Sequence, residues 1–270
     1  MTGDGPIHLT TGDLLVAAAL ILLNAGVSLV MSLGMGRTIA IAATRMVVQL
    51  LAVGAVLEWV FGLSHPLAVV GLGVLMAVLA GRESVARQRY RYTGIYPVGW
   101  GIMVGSSFLV TAVALFGIVS VDPWYQPQYA IPLLGMVLGN TLNGIALGMD
   151  RVLTGLKREQ GAIELLLVLG ATRWEAIRDL AREAVRVGTT PIINAMSVAG
   201  IVSLPGMMTG QILSGTPPVE AVKYQIVIFF LIAAGTALGT VGAILASLRL
   251  LVDTRGRVRS DLLRDKGGRI

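Results

Sequence analysis

ELLLVLGATRWEAIRDLAREAVR, residues 164–186, is the charged, helix-forming stretch of a chain that is otherwise mostly oily. Trp174, Ile177, Ala181, Ala184 and Gly188 recur at helical spacing and define one apolar face. Arg173, Glu175, Arg178, Asp179, Arg182, Glu183 and Arg186 fill the other side. Gly170 interrupts the helix, and Thr172 is placed to cap a second one. The pattern predicts two short helices joined at Gly170-Ala171, outside the membrane and between spanning segments. An interfacial helix lying on lipid headgroups has the same amphipathic signature.

Around this segment, composition fixes the class. Of 270 residues 55% are hydrophobic and 13% charged, with a mean hydropathy of +0.79, whereas soluble domains carry about 25% charged residues. An all-α integral membrane protein is expected. There is no cysteine, hence no disulfide, thiolate metal site or thiol chemistry. The first apolar segment lacks a basic leader and reads as a retained span. A net charge of +6 says little about nucleic acid in such a chain, and none is expected as a partner.

Hydropathy predicts about seven spans, near 14–35, 39–61, 67–81, 98–119, 130–149, 190–204 and 224–248. Six spans result if one short early segment is re-entrant. Basic residues decide the orientation. With the N-terminus outside and the C-terminus cytoplasmic, the inner pieces (36–38, 82–97, 150–189 and the tail) hold 19 of the 21 Lys and Arg, all but Arg45 and Lys223. One permease domain is expected over 1–250, with a coupling segment at 158–188 and a basic cytoplasmic tail at 251–270.

Glu164, Gly170 six residues on, Ala171 and the second amphipathic run resemble the coupling loop of ABC-transporter permeases, although Leu165 and Leu166 stand where that motif has alanines. A helix projecting from the membrane can dock in the groove of a soluble ATPase. Gly170 permits the sharp turn, Trp174 offers an anchor and the arginines offer rim contacts. Glu164, Gly170, Ala171, Thr172, Arg173, Trp174, Ile177 and Arg178 are therefore the candidate coupling residues. The chain has no GxxxxGK[ST] phosphate loop, so ATP and Mg are expected on a separate subunit, with no cofactor bound here. An integral-membrane enzyme would need clustered His or acidic residues, which this sequence lacks.

PLLGMVLGNTLNGIALGMDR, 132–151, holds two GxxxG spacings, Gly135/Gly139 and Gly144/Gly148, that let helices approach closely. Asn140, Thr141 and Asn143 are polar at membrane depth, serving either interhelical hydrogen bonds or a pathway. LPGMMTGQILSG, 204–215, is too polar for a plain span and reads as a re-entrant element or gate. These two stretches, with EAVKYQI at 220–226, make the chain similar to the FetB-type iron-export permease family over about residues 14–250. The resemblance implies an inner-membrane permease, paired with a cognate ATPase and linked to iron export and oxidative-stress resistance. Plant relatives are linked to aluminium tolerance and nucleotide-sugar transport.

The candidate pathway residues are Glu58, Arg45, Asn140, Asn143, Met207, Met208 and Gln211. Histidine occurs only at His8 and His65, in expected outer loops, and Glu58 is the only acid within an expected span. Methionine sulfur is a soft ligand, but packing is the better account of these methionines. A homodimer would bring two sets of ligands together. Arg45 either snorkels to lipid headgroups or pairs with an anionic cargo. A non-transporting scaffold that binds lipid through 164–186 is the rival class.

Overall fold

The computed structural model describes residues 10–63, 65–253 and 257–265; His8, Arg255, Lys266 and Arg269 lie outside them. The described chain is almost wholly helical, as expected where the backbone must satisfy its own hydrogen bonds in lipid. The helices are α1 (Thr11–Val30), α2 (Gly36–Leu63), α3 (Pro66–Ala86), α4 (Ile95–Ala112, running on as a π-helical turn Val113–Ile118), α5 (Pro127–Arg158), α6 (Gln160–Val168), α7 (Arg173–Val198), α8 (Gly206–Leu213) and α9 (Pro218–Leu251). Among the described residues, α1 to α5 and α9 are long and apolar enough to cross a membrane, which makes six by length and composition.

Local chemistry accounts for most helix ends. His65 Nδ1 accepts from the Leu67 N–H, and Pro66 occupies the first helical position of α3. α3 runs past the expected end at Gly81 through Arg82-Glu83-Ser84-Val85-Ala86, where Glu83 and Arg87 pair at i,i+4 spacing. α5 likewise continues to Arg158, nine residues beyond the expected end at 149.

α5 is the axis of the bundle, with α3, α4, α7 and α9 packed around it. Small residues set the contacts. A side chain on Gly235 would meet Val137 and Thr141, and one on Gly239 would meet Thr141 and Ile145. α9 therefore runs parallel to α5. Gly188 lies against the Gly144 carbonyl, and Gly148 against the Ala184 carbonyl, so α7 runs antiparallel to both. Two clusters fill the interior. One, around Met103, Ile145, Met149, Leu153 and Ile244, lies toward the 158–172 end. The other, around Leu115, Ile131, Ile192 and Ile228, lies toward the opposite end.

The segment after α5 differs from its expected form. The charged run is not a short helix followed by a separate span at 190–204. Arg173–Val198 is one helix, about 39 Å long, and Pro191 sits within it. The chain then turns at 199–205 into α8, a short helix seated on α9. The helix continues through its charged part because Leu180, Ala184 and Gly188 pack against Gly155, Gly148 and Gly144 of α5, and Gly188 also against Thr240 of α9.

α1 and α2 form an antiparallel hairpin that barely touches the rest; in α2 only Val60 is buried. The tail is a second departure. Val252 bridges Val258, both Val258 and Leu263 are buried, and β2 (Arg264–Asp265) pairs antiparallel with β1 (Tyr90–Arg91) in the α3–α4 loop. The basic tail is thus folded onto the end of the bundle over its described part.

Candidate functional site

The first site is the elbow between α6 and α7. The N–H of Ala171 bonds to the Leu166 carbonyl at 3.0 Å and that of Gly170 to the Leu167 carbonyl at 3.1 Å. This is the left-handed helix stop that favours glycine, and Gly170 has φ +93°. Thr172 then caps α7. Its hydroxyl accepts from the Glu175 N–H, and the Glu175 carboxylate accepts from the Thr172 N–H at 2.7 Å. The Thr172 hydroxyl, donating to the Glu175 carboxylate at 2.7 Å, and then the Thr172 N–H hold that carboxyl below its usual range. Both sides of the turn are thus fixed, and the elbow is a rigid corner.

Its surface is oily. Val168 is 83% exposed, Leu169 74% and Trp174 50%, and Leu165 is exposed beside them. Ile177, expected among the docking residues, is only 4% exposed, and Ala181 and Ala184 are buried with it against α5 and α9. The apolar face read from the sequence therefore holds α7 in the bundle, and only its first member, Trp174, points outward. Arg173 donates to the Leu248 carbonyl at 3.0 Å, tying the corner to α9. Arg178 is exposed beside Asp179. Glu164 is half-buried and accepts from Gln160 at 2.9 Å. Ala171 is half-buried in the turn. A cavity of about 430 Å³ opens beside Trp174, between it and Leu245 and Arg249 of α9.

Arg151 of α5 braces this corner. Its guanidinium donates to Glu159, at the start of α6, and to Glu183 of α7. Arg151→Gln is expected to quicken amide hydrogen exchange across 159–172. The two carboxylates are about half exposed, so the loss of global stability should be small.

The second site is a cleft of about 620 Å³ between α2 and α3. Arg45, expected to snorkel or to hold an anion, instead donates to Glu83 Oε2 at 3.1 Å. Arg87 Nε lies 3.6 Å from Glu83 Oε1, and Arg87 Nη1 donates to Asn143 Oδ1 at 2.9 Å. One carboxylate thus holds two guanidinium groups, and Gln49 and Thr38 complete the polar wall. Glu83 and Arg87 went unrecognised in the sequence because the hydropathy drop at Gly81 reads as a loop. Their i,i+4 spacing was the available signal.

The other pathway candidates lie apart. Glu58 is exposed on α2, about 20 Å along the helix from Arg45. Asn140 donates to the Met136 carbonyl of its own helix. Met207 packs against the far cluster, Met208 is buried on α8, and Gln211 on α8 has a buried carbonyl oxygen. Among the described residues, no three His, Cys, Asp or Glu side chains are grouped as a metal site.

These features define a multi-pass, all-α membrane protein with a rigid, oily corner at one end. The chain belongs to the uncharacterised protein family UPF0014, which it matches over residues 11–252. It is 40% identical to the UPF0014 membrane protein slr1647 of Synechocystis, over 82% of this chain and 86% of that one. It is 27% identical to the probable iron export permease protein FetB of Escherichia coli, over 96% and 98% of the two chains. It is also 27% identical to the protein ALUMINUM SENSITIVE 3 of Arabidopsis thaliana, over 74% and 72%. No solved structure matches it.

Proposed function

We propose that this chain is the membrane subunit of an ABC-type transporter, driven by a separate ATPase that docks on the α6–α7 elbow. The observation that carries this reading is a large, exposed apolar surface on a doubly capped turn. A flexible loop would absorb an applied displacement, whereas a corner braced by Arg151 and Arg173 transmits it to α5 and α9.

Orientation follows from charge. The elbow end carries the arginine-rich connections, so it is cytoplasmic. Since α5 and α9 are parallel, the chain must return between them, and α7 is the return. Counted this way there are seven crossings, with the N-terminus outside. α7 is missed by composition because its first half is charged.

Two copies act together in this reading. Asn194 is exposed on α7 at membrane depth, where lipid offers no hydrogen bonds. A second copy would cover it and form a wet passage. The full-length likeness to the iron export permease supports iron as the cargo. Iron would then cross as substrate, held between copies or as a chelate. The test is reconstitution with the cognate ATPase, measuring ATP hydrolysis against ferrous iron, chelated iron and nucleotide sugars. Stimulation by an iron species supports the reading. Lipid binding without any ATPase partner would leave a scaffold instead.

A further inference from the structure

We infer that the cleft between α2 and α3 is a binding site for a phosphate-bearing anion, gripped by Arg45 and Arg87, with Glu83 as its built-in competitor. Three observations carry this. The first is charge: two guanidinium groups share one carboxylate, so the cleft keeps an excess positive charge. The Asp150 carboxylate of α5 accepts from the Arg89 backbone N–H at 3.1 Å.

The second is geometry. Glu83 engages one nitrogen of each arginine, Nη2 of Arg45 and Nε of Arg87. Each guanidinium has five N–H donors in a fixed fork. Both side chains are about half exposed and line the cleft, so a tetrahedral oxyanion can approach them together. Asn143, bonded to Arg87, fixes that arginine's direction from α5.

The third is the lining. Ile41, Met46 and Leu50, on the same helix as Arg45, add apolar surface to the cleft. At about 620 Å³ the space far exceeds a bare phosphate ion and suits an organic phosphate with an apolar portion. Two sources share that chemistry: the headgroup of an anionic phospholipid and a soluble organic phosphate. Entry of the anion would loosen the Arg45–Glu83 pair, one of few links between the α1–α2 hairpin and the bundle. None of this rests on the elbow or on an ATPase.

The test uses the purified full-length chain alone, in nanodiscs. One arm titrates a soluble phosphomonoester and inorganic phosphate into nanodiscs of zwitterionic lipid. The other compares retention of phosphatidylglycerol with that of phosphatidylcholine by native mass spectrometry. Arg45→Gln and Arg87→Gln are each expected to weaken binding at least about tenfold. Glu83→Gln should strengthen it, a gain that a damaged fold would not give. Arg82→Gln, with its side chain lining a different cavity beside Tyr96 and Trp100, should leave it unchanged. Binding confined to phosphatidylglycerol identifies a lipid site, and binding of the soluble phosphates a solute site. No binding in either arm, or binding indifferent to both arginine changes, overturns the inference.

Discussion

Gly188→Val is expected to prevent the bundle from closing. A Cβ at this position would stand 2.6 Å from the Gly144 carbonyl oxygen and 2.6 Å from Thr240 Cγ2. One of those atoms is backbone and cannot rotate away, so α7 must move off α5. The cost should reach the upper end for overpacking, about 3 kcal/mol or more. It would appear as a collapse in yield of inserted protein and a large fall in detergent melting temperature. Gly71→Val, on α3 where nothing lies within 4 Å, should melt close to wild type. A Gly188→Val chain as stable as wild type would mean that α5 and α7 do not meet through these glycines.

Trp174→Ala combined with Leu169→Asp should cut ATPase binding while leaving the bundle intact. Both side chains are half exposed or more, so truncation creates no cavity. Loss of a central tryptophan anchor typically costs about 2 kcal/mol or more, roughly thirtyfold in Kd. Titrating the nanodisc-embedded chain with its ATPase measures this directly. Ile177→Ala is the informative contrast. It should lower stability by about 2–5 kcal/mol, as for other buried aliphatic truncations. If Ile177→Ala impaired docking at full stability while the Trp174 pair did not, the outward and inward faces of α7 would have been assigned the wrong way round.

That contrast shows how far the sequence could be read. Periodicity places Trp174, Ile177, Ala181, Ala184 and Gly188 on one stripe, and the stripe is real. Periodicity carries no information on what covers it. A soluble ATPase and the glycine-lined groove of α5 and α9 demand the same spacing. Likewise Arg45 stands out as a charge within an oily run, but its partner Glu83 is 38 residues away on another helix. The hydroxyl-rich α4–α5–α9 contact, with Ser106 and Thr141 flanking Gly239, was visible only as scattered small residues.

The sequence by itself determined the membrane class and the position of the elbow. Both depend on local chemistry: transfer of apolar runs into lipid, and the left-handed stop at Gly170 followed by the Thr172 cap. Only the tertiary structure decided that residues 173–198 are one helix, that Ile177 faces inward, that Glu83 joins two arginines across the cleft, and that the tail pairs with the α3–α4 loop. Those outcomes depend on which surfaces meet, and contacts between residues tens of positions apart leave no periodic trace in either partner.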